Sequence, residues 1–227
     1  MELKGKKIAF LGDSITEGSG VVDRINNRYD NVLKRECQLA EVYNYGVGGT
    51  RLAHQRTPSA CPRHDLCFCG RAFDITQEAD IIVVFGGVND YIHGDAPVGE
   101  WGDTTPATFY GAVNYLMNFL KTRFVDKTTV FINPARMCHS GVPCHEPSAR
   151  EIKLPDAMPL PGYIEIIQKT AALYNIPVLD LYEKLPIDPR IPEDKEKYTS
   201  DGLHFNDAGH HLIAKCIKEF LQGLSLS

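Results

Sequence analysis

Three side chains in this sequence are of the types needed to turn a hydroxyl into a nucleophile. They are Ser14, in Gly12-Asp13-Ser14, and the pair Asp201 and His204, in Asp201-Gly202-Leu203-His204. An imidazole can take a proton from a serine and later return it, provided a carboxylate fixes its tautomer. A spacing of three residues lets the Asp fold back onto one ring nitrogen and leaves the other free as a base. Neither motif is specific alone, because Gly-Asp-Ser is a common turn and Asp-x-x-His also describes a turn that caps a helix. Cysteine and histidine form a second candidate constellation. Cys61, His64, Cys67 and Cys69 lie close in sequence, as do Cys138, His139, Cys144 and His145, and together they could offer four zinc ligands from two loops. Their spacings, Cys-x5-Cys-x-Cys and Cys-x5-Cys, match no familiar structural zinc pattern, so no metal is expected.

Positioning these groups falls to a chain that alternates strands and helices. A buried strand over Ile8–Leu11 stops at Gly12-Asp13-Ser14, which presents Ser14 at a strand end. Asn27–Leu39 has helical spacing, and Glu41–Tyr45 reads as a second strand running into Gly46-Val47-Gly48-Gly49. Arg51–Ile75 shows no periodicity and is expected to be a long loop with at most a short helix. Ala79–Phe85, apolar on both faces, is the clearest strand and ends at Gly86-Gly87-Val88-Asn89-Asp90. A loop over 91–106 precedes a helix over Thr108–Phe124 with Thr108 as its cap. Thr128–Asn133 and Pro177–Leu181 are the remaining strands, with an irregular stretch over 137–160 and a helix over Gly162–Tyr174 between them. Tyr182–Thr199 reads as loop and Asn206–Leu221 as the last helix. This alternation predicts an α/β fold, a three-layer α/β/α sandwich on a flavodoxin-like five-stranded parallel sheet in the order 2-1-3-4-5. In such a sheet the crevice beyond the strand ends gathers residues for binding and chemistry.

The 227 residues are expected to form one domain, 1–227, with no linker and no internal repeat. A formal net charge of −5, with no basic run, argues against nucleic acid as a partner. No apolar stretch reaches the ~18 residues of a membrane span. Ile8–Leu11 is too short for a signal-peptide core, and the seven cysteines form no obvious disulfide framework. A reducing, cytoplasmic setting is the expectation.

Four blocks, Gly12-Asp13-Ser14, Asn44-Tyr45-Gly46-Val47-Gly48-Gly49, Gly87-Val88-Asn89-Asp90 and Asp201-Gly202-Leu203-His204, occur in one order across nearly the whole chain. In this the sequence resembles the SGNH, or GDSL-type, hydrolase family. It departs at Ile15, where the family motif has Leu, and at Val88, where Thr is frequent. The resemblance implies the SGNH hydrolase fold, with Ser14 as nucleophile, His204 as general base and then acid, and Asp201 as the orienting carboxylate. It also implies an oxyanion hole from the backbone N–H groups of Ser14 and Gly49 and the side-chain amide of Asn89, with Gly48 as the neighbour that could be mistaken for Gly49. Asp13 and Asp90 are expected to bond backbone locally. The expected activity is hydrolysis of short acyl esters without a cofactor, with O-deacetylation of a carbohydrate as first choice. A lipid or thioester acylhydrolase is the alternative, and a binding protein on the same scaffold the reading from another class. Arg51, Tyr91 and Trp101, with Tyr110 nearby, are the expected substrate contacts, and the oligomeric state is left open. Activity is expected to rise as His204 loses its proton.

Overall fold

The computed structural model describes residues 1–92, 94–139, 142–143 and 157–224. Five strands form one parallel sheet: β1 (Lys7–Gly12), β2 (Glu41–Gly46), β3 (Ile81–Phe85), β4 (Thr128–Ile132) and β5 (Val178–Leu179). Their spatial order is β2-β1-β3-β4-β5, the order expected from the sequence. Residues alternate between two apolar layers. Ile8, Phe10, Ile81, Val83, Val130 and Ile132 face one, and Ala9, Leu11, Ile82, Val84 and Phe131 face the other. Apolar side chains on both faces suit a parallel sheet that helices cover on each side.

Helices α2 (Tyr29–Glu36) and α7 (Asp207–Gly223) cover the first face through Val32, Leu33, Ile213 and Ile217. Helices α5 (Phe109–Arg123) and α6 (Leu160–Leu173) cover the second through Val113, Leu116, Ile164 and Ile167. The Thr108 hydroxyl accepts a hydrogen bond from the Gly111 N–H and caps α5, as its position predicts. Asn206 caps α7 the same way, accepting from the Gly209 N–H. The remaining labelled helices are short: α1 (Ser14–Glu17), α3 (Phe68–Arg71) and α4 (Val88–Ile92).

Several stretches differ from expectation, among them the one read as irregular over 137–160, where Cys138–His139 pairs antiparallel with Val142–Pro143. The helix read over Asn27–Leu39 is broken at Arg28, whose extended backbone separates a turn over Arg24–Asn27 from α2. Arg51–Ile75 holds two 3₁₀ turns besides α3. The stretch read as loop over Tyr182–Thr199 contains most of the helix Leu181–Lys184 and all of Pro192–Tyr198. Pro192 starts the latter, so the residue that reads as a breaker is at a first-turn position where its missing N–H costs nothing.

Register brings the functional strand ends level. Gly12 pairs with Gly46 on one side and with Phe85 on the other, so β1, β2 and β3 end on one rim. Among the described residues no helix is long and apolar enough to cross a membrane.

Candidate active site

Ser14 opens α1 directly after β1. Asp13 caps this helix, its carboxylate accepting the Ile15 N–H at 3.0 Å, which is the local bonding expected of it. Asp13 is 2% exposed, and burial outweighs that bond and pushes its carboxyl up to about 6.

His204 reaches Ser14 from the loop before α7. An antiparallel bridge between Thr199 and Phe205 closes this loop, and the Thr199 hydroxyl accepts the Gly202 N–H at 2.9 Å. Gly202 has φ +88°, and a Cβ there would come within 2.1 Å of the Cys138 carbonyl oxygen. Only glycine lets these backbones approach so closely. Inside the turn, one Asp201 oxygen accepts the N–H groups of Leu203 and His204 at 2.9 and 2.8 Å. The other lies 2.7 Å from His204 Nδ1, and His204 Nε2 lies 2.9 Å from Ser14 Oγ. A carboxylate only accepts, so Nδ1 carries the proton and Nε2 is left to accept from the serine hydroxyl. Partial burial works against the Asp201 charge, but the His204 ring and the two backbone donors hold its carboxyl well below the usual range.

Gly48, Gly49 and Asn89 come from the ends of β2 and β3. A Cβ on Gly48 would be 3.5 Å from Ser14 Cβ, so this loop runs beside the serine. The Gly48 N–H donates to Glu17 Oε2 at 2.8 Å, which engages that donor and separates it from the Gly49 N–H. Gly49 has φ +75°. Asn89 is buried in the first turn of α4 and donates one side-chain N–H to the Thr50 carbonyl at 3.2 Å. An amide has two N–H groups, so this bond occupies only one of them. Asp90 is structural as expected, but its bonds are not local: it accepts the Leu52 and Ala53 N–H groups at 2.9 and 3.0 Å, from the distant loop after β2.

Two residues that sequence reasoning missed hold this corner together. Glu17, one turn after Ser14, also pairs with Arg63. Arg63 and the Gly48 N–H hold the Glu17 carboxyl below its ordinary value against the opposing effect of burial. Buried Arg71 donates to the carbonyls of Tyr45, Gly12 and Leu66 and to the Thr50 hydroxyl. Desolvation lowers its guanidinium to about 10. Glu17 was findable, since i and i+3 share a helix face. Arg71 lies in an unpatterned stretch and gave no signal.

The structure corrects two of the three expected substrate contacts. Tyr91 is 0% exposed and packs edge-on against Tyr163, so it offers no surface to a ligand. Arg51 is buried and donates to the His64 carbonyl at 2.9 Å, which makes it a support for the neighbouring loop. Trp101 is 55% exposed, but it stands edge-on to Tyr110 over a hollow lined by Asn114, Thr170 and Leu173 and by none of the residues above. Of the cysteines, Cys69 is buried with its thiol donating to the Leu52 and Ala112 carbonyls, and burial raises its pKa strongly. Cys61 is exposed and Cys67 and Cys138 half-buried, all free thiols. Cys144, His145 and the His139 side chain lie outside the described residues, among which no group of three or more His, Cys, Asp and Glu could hold a metal ion.

Several solved structures share this architecture. A protein from Lactobacillus plantarum is 30% identical, aligns 98% of this chain with 99% of its own and has a TM-score of 0.81. A lipase/acylhydrolase from Enterococcus faecalis aligns 96% of each chain at 22% identity and TM-score 0.59. An acetyl xylan esterase aligns 94% of this chain with 98% of its own at 21% identity and TM-score 0.61. No curated protein matches the sequence. The model of the GDSL-like lipase/acylhydrolase family matches residues 10–212, nearly the whole length, and with the same strand order and rim behind that match the chain belongs to this family.

Proposed function

We propose that the chain acts as one hydrolase domain, a serine esterase working through an acyl-enzyme. The observation that supports this most directly is the unbroken relay from Asp201 through His204 to Ser14, at 2.7 and 2.9 Å. Ser14 attacks the ester carbonyl while His204 Nε2 takes its proton, and His204 then returns the proton to the leaving alcohol. Asp201 stabilises the imidazolium in between, and water repeats the sequence to release the acid. The Ser14 and Gly49 N–H groups and the free N–H of Asn89 are the donors for the oxyanion, each worth about 3 kcal/mol of the barrier. No step calls for a cofactor.

The proposed substrates are short acyl esters, with O-acetylated carbohydrate first. Buried Tyr91 lends this choice no support. The choice is supported by the likeness to the acetyl xylan esterase. The deciding measurement is hydrolysis of p-nitrophenyl acetate by the wild type and by Ser14→Ala, with and without a chelator. Loss of activity to background in Ser14→Ala, with no effect of the chelator, is the expected result. A Ser14→Ala protein that retains its rate removes the serine mechanism. Release of acetate from acetylated xylan oligosaccharides checks the alcohol part.

A further inference from the structure

His64 belongs to none of the four family blocks, yet its ring lies against one of them. A Cβ built on Gly49 would be 2.7 Å from His64 Cδ2 and 3.0 Å from Cγ and Nε2, so the imidazole packs on the bare Cα of that glycine. Gly48, the preceding residue, is the one that runs beside Ser14.

The loop that carries His64 is tied down on several sides. Arg63 pairs with Glu17 on the serine's own helix, and Arg51 donates to the His64 carbonyl at 2.9 Å. The His64 N–H donates to the Cys61 carbonyl at 3.0 Å, and both Asp65 carboxylate oxygens accept the Ser59 N–H. His64 as a whole is exposed.

Resting on the esterase reading above, the stereochemistry of the attack decides what such a ring would meet. The tetrahedral carbon carries the serine oxygen, the oxyanion, the leaving oxygen and the acyl chain. The leaving oxygen must face His204, which returns its proton. The oxyanion faces Gly49 and Asn89, and the acyl chain takes the remaining direction, away from His204 and along the wall beside Gly49. We propose that His64 forms that wall and is a specificity-determining residue that limits the enzyme to short acyl groups.

The test is kcat/KM across p-nitrophenyl acetate, butyrate and octanoate for the wild type, His64→Ala and His64→Phe, each checked for a native melting profile. His64→Ala is expected to raise the octanoate-to-acetate ratio about tenfold or more, since tenfold is the low end of what one methylene in a pocket discriminates. His64→Phe, which restores a ring, is expected to keep the wild-type ratio. An unchanged ratio in a folded, active His64→Ala overturns the inference and leaves the esterase reading intact. A folded wild type that cleaves none of the three esters overturns both.

Discussion

Asp13 lies next to Ser14 and Asp201 three residues before His204, and the fold treats these two carboxyls in opposite ways. Asp201 keeps part of its surface in water and gathers two backbone donors and a ring, which favour its charge. Asp13 is buried with one backbone donor, which favours its neutral form. The surroundings differ in the same sense. The His204 turn is local, with Asp201 bonded to the ring and to two backbone N–H groups within residues 201–204. The Ser14 corner is assembled from distant segments, with Glu17, Gly48, Arg63 and Arg71 each contributing a tie. A charged carboxylate is placed where it can stabilise an imidazolium, and a helix cap needs only a lone pair.

Exchanging each carboxyl for an amide sharpens this contrast. Asp201→Asn, which leaves the backbone bonds available but offers His204 no charge, is expected to lower kcat about 10³–10⁴-fold with the fold intact. A loss below tenfold would mean that the charge is not what matters there. Asp13→Asn acts instead on stability. The folded state holds the Asp13 proton up to about 6, whereas the unfolded chain releases it near the ordinary value of 3.8. As pH rises from 4 to 6 the unfolded state ionises first, so the contribution of Asp13 to wild-type stability falls over this window and levels off above it. The difference in pKa corresponds to about 3 kcal/mol. Urea unfolding at pH 4 and pH 7 should therefore show Asp13→Asn gaining on the wild type by most of that amount. No change in the gap between the two pH values would place the Asp13 carboxyl in a more polar setting than its burial indicates. The smallest effect is expected at Glu17. Glu17→Ala releases Gly48 and Arg63 and should lower kcat/KM about tenfold, the scale of a slightly misplaced donor. Because Glu17 and Asp201 share no hydrogen-bond partner in the bonds described above, their free-energy losses should add in the double variant. A double variant no worse than Asp201→Asn alone would show the two carboxylates to be coupled.

The contrast also explains what could be read from the chain. The His204 turn was legible because a three-residue spacing lets Asp201 reach the ring and because the motif follows three other blocks in one order. The five strands were legible because apolar runs on both faces leave little alternative to a covered parallel sheet. Arg71 and His64 were not, because the contacts that tie them to the site, with Gly12, Tyr45 and Thr50 for Arg71 and with Gly49 for His64, join residues far apart in the sequence across an unpatterned stretch. Tyr91 misled for a related reason. Its position two residues after Asn89 suggested the rim, but α4 begins at Val88 and turns that side chain inward against Tyr163. Periodicity over five residues cannot fix such an orientation.

The bond between His204 and Ser14 spans 190 residues, from the start of α1 to the loop before the final helix. Synthesis runs from the N-terminus, so the serine, Gly49 and Asn89 leave the ribosome long before the imidazole that would activate them. A nascent chain holding β1 to β4 has most of the rim and no base. The proposed activity therefore switches on only when α7 docks beside α2, and hydrolysis of a chromogenic ester becomes a clock for the last step of folding rather than for formation of the sheet.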